Sequence, residues 1–203
     1  MSGSPGGPPA TPTGLPRPPL WPKGQWSRLL GLFAVAVAAT VVSFALVSHI
    51  SHPLLPGGAT APAVKLLPAG DSSAVPLDVF ATAAGRPVVL EFFETTCQVC
   101  QHEVRPMCDA HARHAGRVDF YGIDAARESS ATVAAFGHDQ AGGCQSWPLL
   151  LDPKSDVLRA YSVTVVPTVY VVDAQRHVVY SGTGEAGVAG LDQALGLIEG
   201  AHG

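Results

Sequence analysis

An apolar run that hands two cysteines to the start of a helix-patterned segment constrains this chain more than any other feature. Pro87-Val-Val-Leu-Glu-Phe-Phe93 has the length and apolar content of a buried strand. Cys97-Gln98-Val99-Cys100 follows at once, and 97–115 carries a helical pattern with Thr95 or Thr96 as the expected cap. A sulfur at a helix start meets unpaired N–H groups and the positive end of the helix dipole, which favour the thiolate. Cys100, one turn on, is placed to attack a mixed disulfide formed at Cys97. The junction therefore predicts thiol–disulfide exchange. A bridge closing so short a loop restrains little chain entropy, which argues against a structural role. A structural zinc site needs a second ligand pair, and none has the spacing. Haem attachment needs His directly after the second Cys, where Gln101 stands and His102 comes one place late.

Charge and composition divide the 203 residues unevenly. Eight prolines fall in the first 22 residues, and no Asp or Glu precedes Asp71. All 16 acidic residues therefore lie in 71–203, with eight of the 12 Lys and Arg, leaving that segment at −8. Such a domain is a poor binder of nucleic acid, and no basic, aromatic-laced patch suggests one. Residues 1–28 read as a disordered, Pro/Gly-rich tail. The 22 residues 29–50 carry no Asp, Glu, Lys or Arg and would span roughly 33 Å as a helix, enough for a bilayer core. Arg17, Lys23 and Arg28 precede that run, which predicts a single-pass anchor with a cytoplasmic N-terminus and an extracytoplasmic domain in the cell membrane. A cleaved signal peptide, cut near Ala-Thr-Ala-Pro-Ala (59–63), is the rival, although its apolar region is normally shorter. Both readings place the domain where cysteines can pair. Residues 51–63 read as a Pro/Gly/Ala-rich linker, and 64–203 as one domain.

Within the domain, Val64–Leu67 and Val75–Leu77 are expected as short leading strands. Val88–Phe93, Val118–Ile123 and Trp147–Leu151 follow as strands, with helices at 97–115, 129–137 and 155–161 between and after them. Thr168–Val172 and Val178–Ser181 form a hairpin, and Gly187–Ala201 a closing amphipathic helix with Val188, Leu191, Leu195 and Ile198 on one face. The order implies an α/β sandwich around a central mixed sheet.

Glu91 shares a strand face with Val89 and Phe93 in a run with no other charge. Desolvation there should raise its pKa and fit it to accept the proton of Cys100 during resolution; the plainer alternative is a strand-edge acid paired with Arg. Cys108 lies 11 residues beyond Cys97 on the same helix face, and Cys144 follows Gly142-Gly143 in a loop. In an exported domain such a pair reads as a structural disulfide, with a second redox relay as the rival. His102, His111 and His114 read as solvated helix residues; neither metal nor cofactor is expected.

Two segments carry a family resemblance. Gly85-Arg-Pro-Val-Val-Leu-Glu-Phe-Phe-Glu-Thr-Thr-Cys-Gln-Val-Cys100 resembles the active-site strand and helix of thioredoxin-fold proteins. Val165-Val-Pro-Thr-Val-Tyr-Val-Val-Asp173 resembles their cis-proline loop and following strand. The anchor and a long central stretch point to the membrane-anchored TlpA/ResA-type subgroup. The resemblance implies a thioredoxin-like domain over roughly 64–200, Cys97 as nucleophile, Cys100 as resolving thiol and Glu91 as the buried acid. It also implies a cis Pro167, with Val166 offering backbone hydrogen bonds to substrate. Implied in turn is a reductase of exported protein disulfides, fed by a transmembrane electron donor, with cytochrome c maturation as one setting. The chain departs from the family in having Thr96 where Trp is usual, no proline in Gln98-Val99, and Pro106 one place late. Because the dipeptide tunes the potential, an oxidant of the same fold stays open. A copper-binding or copper-delivery module using Cys97, Cys100 and a His is the alternative from another class.

Overall fold

The computed structural model describes residues 53–139 and 142–200, together with helical positions at 30, 32–34, 36 and 37. The tail expected over 1–28 lies outside the described residues, as does most of the anchor expected over 29–50. Among the described residues no helix is long and apolar enough to cross a membrane.

Among the described residues from 53 onward there are seven strands and six helices. The strands are β1 (Lys65–Pro68), β2 (Leu77–Asp78), β3 (Val88–Phe93), β4 (Asp119–Asp124), β5 (Leu149–Leu151), β6 (Thr168–Val172) and β7 (Val178–Thr183). The helices are α1 (Val79–Ala83), α2 (Gln98–Arg113), α3 (Ser130–Asp139), α4 (Asp156–Ala160), α5 (Glu185–Ala189) and α6 (Leu191–Gly200). They build one sheet in the order β2-β1-β5-β4-β3-β6-β7. β3 runs parallel to β4 and antiparallel to β6, so the sheet is mixed, as the sequence predicts.

β3 is central, and all six of its residues are buried. Val89 and Phe93 enter a core with Val104, Met107, Leu191 and Leu195, while Val88, Leu90 and Phe92 enter a second core with Tyr161 and Tyr170. Burial on both faces explains why the strand reads as a continuous apolar run rather than an alternating one. At Gly122 of β4 an added Cβ would sit 2.5 Å from Leu149 Cδ2, so glycine there is a packing requirement.

Four expectations need correcting. The stretch read as a linker, 51–63, is fastened to the domain over much of its length. Gly58 N–H donates to the Val178 carbonyl (2.8 Å), Ala61 N–H to the Arg176 carbonyl (2.7 Å), and Leu55 N–H to the Tyr170 hydroxyl (3.2 Å). Leu54 and Leu55 pack against the second core and Ala61 is buried in it. Composition suggested a tether, but backbone groups of the distant β6–β7 hairpin give this segment partners. The closing helix is two helices. Tyr180 Oη donates toward the carbonyls of Ala186 (2.9 Å) and Gly187 (3.0 Å), and α5 ends at Gly190. The third strand begins at Leu149, with Trp147 buried ahead of it against His111 and Phe120. Finally, His114 is buried, 7 % exposed beside Asp192, and His111 is half-buried, edge-on to Phe120.

Candidate active site

The site forms where β3 ends and α2 begins. Cys97 is itself the N-cap of α2, with extended backbone, and its sulfur accepts the Cys100 N–H at 3.1 Å. The expected caps, Thr95 and Thr96, stand outside the helix; Thr95 spends its hydroxyl on the Glu128 carboxylate instead. Cys97 Sγ is half-buried and Cys100 wholly buried, and the two are joined as a disulfide, the oxidised state of the pair. The helix start thus presents one sulfur outward and keeps the other inside.

The β6 side completes the mouth. The Val166–Pro167 peptide is cis, and the Val166 carbonyl oxygen lies 4.0 Å from Cys97 Sγ. Thr168 Oγ1 donates to the Val165 carbonyl (2.7 Å), and Gly184 N–H to the Pro167 carbonyl (2.8 Å), which fixes the loop from both ends. Val99 and Val165 are exposed around the sulfur, beside a small cleft of about 80 Å³ lined by Ala125, Leu158, Val163, Val166 and Glu94. An apolar rim beside the sulfur suits a peptide chain.

Glu91 lies on the β3 face that carries Val89 and Phe93, the face packed against α2. It is 3 % exposed, and burial pushes its carboxyl up to about 8, with the nearby Glu103 carboxylate adding to the rise. Glu103 is the residue that sequence reasoning missed. It too is 3 % exposed; neither carboxylate oxygen has a hydrogen-bond partner, and burial followed by Glu185 raises it to about 7. The signal was present in the helical period: Cys100, Val104, Met107 and Cys108 mark the buried face of α2, and position 103 falls on it. A cleft of about 510 Å³ between α2 and the α5–α6 pair opens over Glu103 and Glu185. A roomier apolar cleft of about 540 Å³, between β7 and α6, contains none of the cysteines.

Cys108 and Cys144 form a second disulfide, Cα atoms 6.0 Å apart, tying α2 to the loop before β5. Cys108 is one of the core residues. Cys108 and Cys100 are eight residues apart on α2, roughly 12 Å along the axis, too far for direct exchange between the two pairs. Among the described residues no group of three or more His, Cys, Asp or Glu side chains is placed to hold a metal ion.

The sequence model of the AhpC/TSA family matches residues 58–181. No curated protein sequence matches the chain. Solved structures share its fold at low identity. A thiol:disulfide interchange protein of the thioredoxin family from Chlorobium tepidum superposes with TM-score 0.58 at 20 % identity, covering 71 % of this chain and 98 % of that one. A secreted Mycobacterium tuberculosis disulfide oxidoreductase gives 0.53 at 19 %, covering 68 % and 96 %. The peroxidoxin BcpB, also from Mycobacterium tuberculosis, gives 0.58 at 22 %, covering 72 % and 97 %. These likenesses establish the thioredoxin-like fold.

Proposed function

The chain belongs to the AhpC/TSA family, and from that premise we propose that it is a thiol–disulfide oxidoreductase acting on exported protein disulfides. One observation carries the reading: Cys97 caps α2 with its sulfur toward the Cys100 N–H, 4.0 Å from the Val166 carbonyl in the cis-proline loop. A nucleophile, a resolving thiol and a peptide-binding edge meet there.

The chemistry starts from the reduced pair. The Cys97 thiolate attacks one sulfur of a substrate disulfide, that S–S bond breaks, and the departing substrate thiolate takes up a proton. Cys100 then loses its proton, attacks Cys97 Sγ and releases the second substrate thiolate, leaving the Cys97–Cys100 disulfide. Two electrons pass from the pair to the substrate, and an external dithiol must restore them. Glu91, held at about 8, lies close to an ordinary thiol at about 8.5, so a proton can pass between such groups with little free-energy difference.

The membrane setting rests on the uncharged run 29–50, with basic residues ahead of it. That run would hold the domain on the extracytoplasmic side, within reach of a transmembrane electron donor. The reducing direction, and a place in cytochrome c maturation, rest on the TlpA/ResA resemblance of the two active-site segments. The Cys108–Cys144 bridge is read as structural. A peroxidase would suit the family and the BcpB likeness, but no cysteine lies in a Pro-x-x-x-Thr-x-x-Cys run.

The test is disulfide reductase activity with single-cysteine variants. Cys97→Ser is expected to abolish turnover, and Cys100→Ser to accumulate mixed disulfides with captured protein. Full turnover in Cys97→Ser would refute the assignment. The direction follows from the measured potential: a value near thioredoxin's, about −270 mV, supports reduction, and one near −120 mV supports oxidation.

A further inference from the structure

Glu128 lies in the loop between β4 and α3, 33 residues beyond Thr95, yet it grips the segment that presents Cys97. Thr95 N–H donates to one carboxylate oxygen at 2.9 Å, and the Thr95 hydroxyl to the other at 2.5 Å. Glu128 is in turn fixed from behind. Its backbone N–H donates to Asp124 Oδ2 at 2.7 Å, and the other oxygen of Asp124 accepts from Ala126 N–H at 3.0 Å. Asp124 is 1 % exposed and ends β4 in register with Phe93, the last residue of β3. On its far side, Thr95 accepts Gln101 Nε2 at its carbonyl (2.8 Å), which links it to the first turns of α2. A rigid strand end is thereby connected through Asp124, Glu128 and Thr95 to the cap of the active-site helix.

We propose that Glu128 is a positioning residue for Cys97: its carboxylate holds the Thr95–Thr96 turn so that sulfur 97 stays over the N–H groups of the helix start. The proposal rests on the redox reading of Cys97. Thr96 is exposed, so the turn relies on hydrogen bonding rather than packing for its shape. The own closure of the turn is a single long contact, Cys97 N–H to the Glu94 carbonyl at 3.2 Å.

Charge and grip act on the Cys97 thiol in opposite directions, which makes them separable. A negative carboxylate nearby disfavours a thiolate, so loss of charge alone lowers the thiol pKa. Loss of the grip lets the sulfur leave the helix start and raises it. Glu128→Gln removes the charge and keeps both contacts, since its amide oxygen can accept from the Thr95 N–H and its amide nitrogen can donate to the hydroxyl. Glu128→Ala removes both. Thr95→Val removes the hydroxyl contact and leaves the charge. Glu94 and Arg127, the charged residues flanking the two segments, are unchanged in all three.

The experiment is the pH profile of iodoacetamide alkylation of Cys97 in the full chain, in a Cys100→Ser background with the Cys108–Cys144 bridge intact. Glu128→Ala is expected to raise the titration midpoint by roughly half a unit, with Thr95→Val moving the same way by less. Glu128→Gln is expected to leave the midpoint unchanged or lower it. With Cys100 restored, Glu128→Ala should reduce disulfides about tenfold more slowly, two hydrogen bonds being lost, and Glu128→Gln within about twofold of the parent. Midpoints for Ala and Gln that move together would reduce Glu128 to a charge effect and overturn the proposal. So would three unshifted profiles. Should Glu128→Ala fail to fold, the contrast between Thr95→Val and Glu128→Gln decides. A parent with no reductase activity would refute the functional reading and leave this titration intact.

Discussion

Glu91 makes stability depend on pH in a direction opposite to that of a salt-bridged acid. Its folded pKa is about 8 against 4.5 for an exposed carboxyl, because burial penalises the charged form. Between those values the unfolded chain has released this proton and the folded chain has kept it. Stability therefore falls as pH rises through the window, by about 1.4 kcal/mol per unit. From pH 5 to pH 7 the loss attributable to this one group is about 2–3 kcal/mol. Glu91→Gln keeps the shape and has no proton to lose. Denaturant unfolding of parent and variant, both with the two disulfides intact so that no thiol titrates, should give curves that diverge between pH 5 and pH 7. The parent should weaken relative to the variant by that amount. Glu103 titrates in both proteins and cancels in the difference, since Glu91 is neutral in this window. Parallel stability profiles would show that Glu91 is not held protonated, and would remove the argument that it matches the thiol of Cys100.

Two further outcomes follow from the structure. Replacing Cys108 and Cys144 together by Ser should cost about 3–4 kcal/mol in denaturant unfolding, from the chain entropy of a loop with a separation of 36 residues. The same double variant should retain reductase turnover, and its loss would show that the second bridge takes part in electron transfer. Tyr170→Phe should cost about 1–2 kcal/mol, because the hydroxyl donates to the Tyr161 carbonyl (2.5 Å) and accepts from Leu55 N–H (3.2 Å). Faster proteolysis within 53–60 is the expected companion result; unchanged cleavage there would mean that the segment is held mainly by Ala61 and its backbone bonds.

What the sequence made legible was local chemistry repeated at short range. β3 was readable because six successive residues are buried on both faces, and the start of α2 because two cysteines mark it. The helical period sets Cys100, Val104, Met107 and Cys108 on one face and Glu103 with them, a face that became recognisable as buried only in the fold. The remaining features depend on partners far along the chain. Thr95 is a natural cap by residue type, but a carboxylate 33 residues away takes its hydroxyl and leaves the cap to Cys97. Residues 54–61 have the composition of a tether and become ordered through carbonyls at Arg176 and Val178. His111 looked solvated until Phe120 and Trp147 were brought beside it by strand pairing.

The two bridges also set a task for whatever supplies electrons. A donor strong enough to open Cys97–Cys100 meets another sulfur pair, one member of which, Cys108, is on the same helix. Nothing in thermodynamics alone guarantees that it will stop at the first. Access alone does not make the distinction: Cys97 and Cys144 are each half-buried while Cys100 and Cys108 are buried, so each bridge turns one sulfur outward. The donor must therefore recognise the surroundings of Cys97, where the cis Val166–Pro167 loop lies against the sulfur.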